Sequence, residues 1–507
     1  MTLGIAHLIG ILLVLALIVG IGIYSGRKVT DASDFTSGGG KAGPWLVAGT
    51  IMGTLVSGQA TVGTAQLAYS FGMSAWWFTL GSGVGCLVLA LGYVKRMRHS
   101  GADTLVGVIS NEYGDRSGYL ASVLSSIGIF VSVIAQMLSA TALLTTILPI
   151  SMLTASIIST AIMAVYVIFG GVWGAGIGGV VKLLLLYIAA IMGGIIVLFV
   201  TGGPDGLMQL VRSALVGTSL GEVNDIQTAE DILPRFGSLL ARGPLNDLGS
   251  GLSLVLGVLS TQTYASAIWS AKSDKAARQG ALFSACLIPP IGIACILVGL
   301  FMRGQCITAD EAAALTAIGQ AVPSGLIEIA TTAQVFPTFV LHYMPSLFGG
   351  IVLGTLLITI VGGGAGLSLG VATIVVNDIA GHLTHRLDAP KRKLVVTRLV
   401  IVLVLAVSAV VATLVPSAVI NDFGYLSMGL RGAVIFVPIS AALFFPGRVG
   451  ARWVVAAILA GPVAVIAGSM AGVPFDPLFL GMLVSLVLVL LGASMRKISQ
   501  ISAHPIE

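Results

Sequence analysis

Ser57, Gln59 and Thr61 fall within the polar run Ser57-Gly58-Gln59-Ala60-Thr61, in the middle of an apolar stretch at 45–72. Hydroxyl and amide groups at that density can hold a small polar solute by hydrogen bonds. Backbone carbonyls freed beside them can hold a cation. An intact lipid-facing helix would do neither. Gly49, Gly53, Gly58 and Gly63 punctuate the same stretch. It therefore reads as a membrane span that unwinds at mid-depth, where freed backbone groups line a cavity rather than lipid. Two isolated bases add to this chemistry. Arg431, in Gly429-Leu430-Arg431-Gly432, has no acid within eight residues. Its desolvation demands a partner: a solute carboxylate gripped by the planar guanidinium, a distant acid such as Asp422, or freed carbonyls. Lys182 lies in the first turn of another apolar stretch. It either snorkels to the inner surface or stands inside the protein as a fixed cation.

The elements that must position these groups are membrane helices. The chain has 507 residues, 56% hydrophobic and 9% charged, with a mean hydropathy of +1.05. That composition describes an all-α polytopic membrane protein. Thirteen spans are expected, numbered 1 to 13 in chain order: 3–24, 45–72, 75–94, 119–148, 151–170, 178–201, 248–270, 279–302, 347–379, 395–415, 424–445, 452–471 and 474–494. Several are too long to cross without tilt or a break. No positive charge precedes span 1 and no cleavage site follows it, so it reads as a retained span rather than a signal peptide. With the N-terminus outside, only Arg212, Arg235, Arg242 and Arg303 fall outside. Lys182 and Arg431 lie in the membrane, and nineteen of the 25 bases lie inside. This asymmetry predicts N-out, C-in, and the net charge of +5 then reflects span ends rather than nucleic acid.

The external loops 202–247 and 303–346 carry nine of the twenty acids and read as surface helices, at 228–232 and 309–318 for example. The segment 381–393 reads as a solvated inner hinge. Cys86, Cys286, Cys295 and Cys306 form no CxxC pair, and neither a transition-metal site nor a disulfide framework is expected. Gly174-Ala175-Gly176-Ile177-Gly178-Gly179 fits a nucleotide-loop pattern but joins two spans. Gly38-Gly39-Gly40-Lys41 lacks phosphate-loop spacing, and His382 and His385 read as solvated. No residue set suits enzyme catalysis. Beyond the polar run of span 2, the candidates for a solute pocket are Gln136 in span 4 and Thr261 and Gln262 in span 7. Each could equally make an ordinary interhelical hydrogen bond.

Several local patterns together resemble the sodium:solute symporter family. They are Asp34-Phe35-Thr36-Ser37-Gly38-Gly39-Gly40 with Pro44-Trp45, and Asp103-Thr104-Leu105 with Glu112-Tyr113-Gly114-Asp115-Arg116-Ser117. Gln262 with Ala271-Lys272-Ser273 and 276–280, and 367–379 ending in Val376-Asn377-Asp378-Ile379, complete the set. The resemblance implies a LeuT-like fold of the APC superfamily. Two inverted five-helix repeats would occupy 45–201 and 248–445, joined by the external loop 202–247. One extra span would lie in the N-terminal part, 1–44, and two in 446–507. It implies a solute site at the broken spans 2 and 7, and a cation between spans 2 and 9. The matching cation positions are the carbonyls of Gly53 and Val56, with Thr359, Gly362 and Gly363. At the last two the family usually has serine or threonine, and glycine removes two hard oxygen ligands. Where span 6 of relatives commonly carries an acid, this chain has Gly179. Three residues on, the ammonium of Lys182 could stand in for the cation, with its protonation as the coupling event.

The expected function is cation-coupled symport of a small polar organic solute, a carboxylate or an amino acid, by alternating access. The expected setting is the bacterial inner membrane. The coupling ion is sodium by resemblance, or a proton on Lys182, and no other cofactor is expected. The expected partners are the solute and the lipid bilayer, with no nucleic acid and no obligate protein partner. A sensor on the same fold would need a signalling domain, which the short tail after 494 is not expected to hold. A channel would need a filter or a ring of acids.

Overall fold

A computed structural model describes residues 3–26, 40–376 and 390–503. The motif residues 34–39 and 377–379, the inner histidines and most of the hinge lie outside the described residues. Those described form a helical membrane protein. Nine helices are long and apolar enough to cross a bilayer, or ten if the bent pair Pro244–Leu259 and Gln262–Trp269 counts as one span. The thirteen expected spans are thus not thirteen separate rods. Span 2 is divided into Pro44–Leu55, a wide turn at Gln59–Gly63, and Thr64–Phe71. It passes into span 3 through Gly72, whose φ of +52° only glycine adopts without strain. Spans 5 and 6 fall in one helical run, Met152–Thr201, with separate apolar stretches at Met152–Tyr166 and Gly179–Thr201. Its 50 residues would extend about 75 Å if straight, more than twice a hydrocarbon core of about 30 Å. The run therefore cannot be one straight crossing.

Close packing is achieved through glycine. A Cβ at Gly179 would strike the carbonyl oxygen of Gly49, so spans 6 and 2 meet backbone to backbone. The loops 202–247 and 303–346 hold the helices Pro204–Leu215, Ala309–Ala317 and Val335–Tyr343, with a two-stranded parallel sheet pairing Cys306–Thr308 and Ile327–Ile329. The helix expected at 228–232 is instead a turn. There Asp231 accepts hydrogen bonds from the Thr228 N–H (2.8 Å) and hydroxyl (2.9 Å) and the Gln227 N–H (3.2 Å). Such local bonds compete with helix, and the Thr228 N–H holds the Asp231 carboxyl below its ordinary pKa. Glu311 completes a capping box with Thr308 and also ties the loop to the membrane. It pairs with Arg303 at the end of span 8 (2.5 Å) and accepts from the Tyr69 hydroxyl of span 2 (2.9 Å). Burial pushes its carboxyl up, but the Arg303 guanidinium prevails and the pKa lies below the ordinary value.

Candidate functional site

Span 2 breaks where the polar run begins. Its first helix ends at Val56 (φ −82°, ψ 87°), and helical bonding resumes at Gln59. Gly58 permits close contact with span 4, since a Cβ there would lie 2.6 Å from Ser139 Cβ and Oγ. Gly58→Ala is expected to cost about 1–3 kcal/mol through overpacking, read as a lower thermal midpoint of the purified protein. Span 4 absorbs the groups the break releases. Gln136 accepts from the Gly58 N–H (3.2 Å) and donates to Ser57 Oγ (2.7 Å). Gln59 Nε2 donates to Ser132 Oγ at 3.3 Å. Thr61 serves the break itself, its hydroxyl donating to the Ser57 carbonyl at 3.0 Å.

The expected cation ligands meet an amine. Lys182 is only 6% exposed. Its Nζ donates to the carbonyl of Gly53 at 2.5 Å and to that of Thr359 at 3.5 Å. The Gly179–Gly49 contact explains this reach: one helical turn beyond it on each side lie Lys182 and Gly53. An acid at position 179 would have no room. Thr359 Oγ1 is buried without a hydrogen-bond partner among the described residues. Gly363 packs against Ser57 and Gln136, whereas Gly362 faces Tyr166 and Val56 is fully buried. The structure thus gathers Gly53 and Thr359 around Lys182, with Ser57, Gln136 and Gly363 beside them.

Span 7 bends by 45° between Leu259 and Gln262, and its break carries a second cluster. Arg431 is fully buried. It donates to Thr261 Oγ1 (2.8 Å), Ser427 Oγ (2.8 Å) and the Ser427 carbonyl (3.1 Å). It has no ion pair among the described residues, and Asp422 instead pairs with Arg242 at 3.2 Å. Gln262 lies just past the bend. It accepts from the Leu105 N–H (2.9 Å) and donates to Ser266 Oγ (2.9 Å). As the first residue of the short helix Gln262–Trp269 it ties that helix to its neighbour. Sequence reasoning missed Ser132, Ser427 and Asn421. Asn421 is fully buried against Gly63, with both amide atoms unpartnered among the described residues. An asparagine just ahead of span 11 carried no signal of burial.

Polar ties cross both ends of this gap. At one end, Gln66 of span 2 donates to Thr332 Oγ1 and the Ala418 carbonyl, both at 3.0 Å, and accepts from the Ile420 N–H at 2.9 Å. At the other, Arg98 pairs with Asp274 (2.7 Å) and donates to the carbonyls of Ile268 and Ala271 (both 2.8 Å). Ala42 also bridges to Ala271. Gln66→Leu removes three outer bonds, each worth about 1 kcal/mol. Its expected effect is at least fivefold faster labelling of a Thr64→Cys reporter by an impermeant thiol reagent from outside.

Two broken spans packed around a buried polar gap, within a helical membrane protein, define a transporter of the LeuT-like fold. A solved structure described as the substrate-bound outward-open state of a Na+-coupled sialic acid symporter superposes with a TM-score of 0.74, at 17% identity over 98% of both chains. A nucleobase-cation-symport-1 family transporter in a closed conformation gives 0.51, at 12% identity over 94% of this chain and 96% of the other. At this identity they establish the fold. The chain belongs to the sodium:solute symporter family, whose pattern matches residues 35–461, and that family consists of transporters rather than enzymes. Among curated relatives, the High-affinity choline transporter 1 of Caenorhabditis elegans is 29% identical over 36% of this chain and 34% of its own length. The High-affinity proline transporter PutP of Bacillus subtilis is 26% identical over 38% of this chain and 42% of its own. The matches thus span less than half of these relatives.

Proposed function

We propose that the chain is a secondary active carrier that takes up a small polar organic solute, a carboxylate or an amino acid, together with a cation by alternating access. One observation carries this reading: a buried guanidinium, Arg431, stands at the span 7 break and is held by neutral groups alone. A solute carboxylate would supply the missing charge. Family membership supports sodium as the coupling ion.

A second reading rests on a separate observation. The Lys182 amine sits against the carbonyls of Gly53 and Thr359, two groups expected to hold the ion. In that case a proton on the amine replaces the metal. Either charge couples to the solute if both favour the same closed state. The repeats 45–201 and 248–445, and an inner bacterial membrane with the N-terminus outside, complete the proposal. Its test is uptake into proteoliposomes of small acids and amino acids, with sodium and proton gradients imposed separately. Sodium-driven accumulation supports the first reading, and sodium-independent accumulation driven by a proton gradient supports the second. Absence of saturable counterflow for every solute refutes a carrier.

A further inference from the structure

We propose that the outer ends of spans 7 and 11, with the turn that leads into the helix Leu478–Ala503, enclose a second site that binds a small organic amine. A cavity of about 380 Å³ opens here, lined by Asp422, Tyr425, Asp476, Ser253, Arg242 and Gly429 among others. Neither Arg431 nor Thr261 lines it, so it is separate from the solute gap. At roughly 30 Å³ per water, it holds far more than a bare ion. No group of three metal-ligating side chains exists among the described residues.

The charges do not balance. Arg242 is the only base lining the cavity among the described residues. It is largely taken by Asp247, whose carboxylate is completely shielded and lies 2.9 Å from Arg242 Nε. Asp247 also accepts from the Arg242 N–H (2.9 Å) and the Ser74 hydroxyl (2.7 Å). What remains of the guanidinium reaches Asp422 at 3.2 Å and Ser250 Oγ at 3.0 Å. Asp476 has no ion pair among the described residues, and one of its oxygens accepts the Leu478 N–H at 2.9 Å. Two carboxylates thus share a fraction of one base.

A second feature points to a ligand. Tyr425, one turn beyond Asp422, is only 5% exposed, and its hydroxyl has no hydrogen-bond partner among the described residues. A buried hydroxyl left unsatisfied is costly. An ammonium group supplies what this wall lacks: positive charge for Asp422 and Asp476, and N–H donors for the carboxylates and for the hydroxyls of Tyr425 and Ser253. The cavity volume leaves room for its carbon chain.

The probe is 1,4-diaminobutane, titrated calorimetrically into the purified full-length protein, with 1,4-butanediol as the uncharged control and Mg2+ as a competitor. The expected result is saturable binding of the diamine and none of the diol, with affinity at least tenfold weaker in Asp476→Asn and severalfold weaker in Tyr425→Phe. Tyr425→Phe keeps the ring and serves if Asp476→Asn does not fold. Gln59→Ala, in the central gap, is expected to leave diamine binding intact. Binding that is unchanged in both cavity variants, is lost in Gln59→Ala, is matched by the diol, or is displaced by equimolar Mg2+ would overturn the proposal.

Discussion

Lys182→Gln is expected to reduce concentrative uptake driven by a pH gradient by about a hundredfold, equivalent to about 2.7 kcal/mol. Facilitated counterflow of the same solute should persist. The amine is only 6% exposed and rests on the Gly53 and Thr359 carbonyls. A neutral amide of similar length can donate to one of those oxygens but cannot gain or lose a proton. The variant should therefore fold and bind while losing the coupled step. Measured in proteoliposomes at several external pH values, the wild type should show a steep dependence and the variant a flat one. Unchanged pH dependence and driving force in Lys182→Gln would sink the lysine reading and leave sodium as the coupling ion. A gain of sodium dependence would instead show the vacated carbonyls accepting a metal, with the unpartnered Thr359 Oγ1 as a further ligand.

Arg431→Met should be nearly as damaging, for a different reason. The guanidinium joins span 11 to the span 7 break through Thr261 and bonds Ser427 twice. Ser427 in turn donates to the Gly128 carbonyl of span 4 at 2.6 Å. Hydrogen bonds to a charged group contribute about 1.5–3 kcal/mol each, so loss of affinity by about two orders of magnitude is expected. Arg431→Lys should rescue little, because a point ammonium cannot reproduce a planar fork reaching two residues. The wild type should prefer an acid over its amide by at least tenfold, and Arg431→Met should lose that preference. An amide that competes fully and still requires Arg431 would refute carboxylate recognition. Gel filtration and thermal midpoint separate this outcome from misfolding.

The break in span 2 was legible because helix-breaking glycines and polar side chains coincide within one apolar stretch. Lys182 was legible as an anomaly, and its spacing from Gly179 placed it within a turn of the expected ion. The carbonyls it would meet could not be read from composition, because the contact depends on two glycine backbones, at 49 and 179, touching across spans. The partners of Gln262 were hidden for a related reason. It adjoins the break in sequence, and beyond the 45° bend it meets Leu105 and Ser266. Asn421 was passed over because a polar residue at a span end is usually solvated, and only packing against Gly63 buries it. The segment 228–232 lost its helix to the carboxylate of Asp231, a competition that helical periodicity does not register. Where the answer lay in one stretch of chain it could be read. Where it lay between stretches it needed coordinates.

The amine on Gly53 is fastened to its own scaffold. A dissolved ion occupies such a place only as fully as its abundance outside allows, whereas a tethered group is present at any dilution. If Lys182 carries the coupling charge, a cell using this protein could scavenge nutrients from fresh water as readily as from brine. Its intake would then follow the acidity of its habitat rather than the salinity.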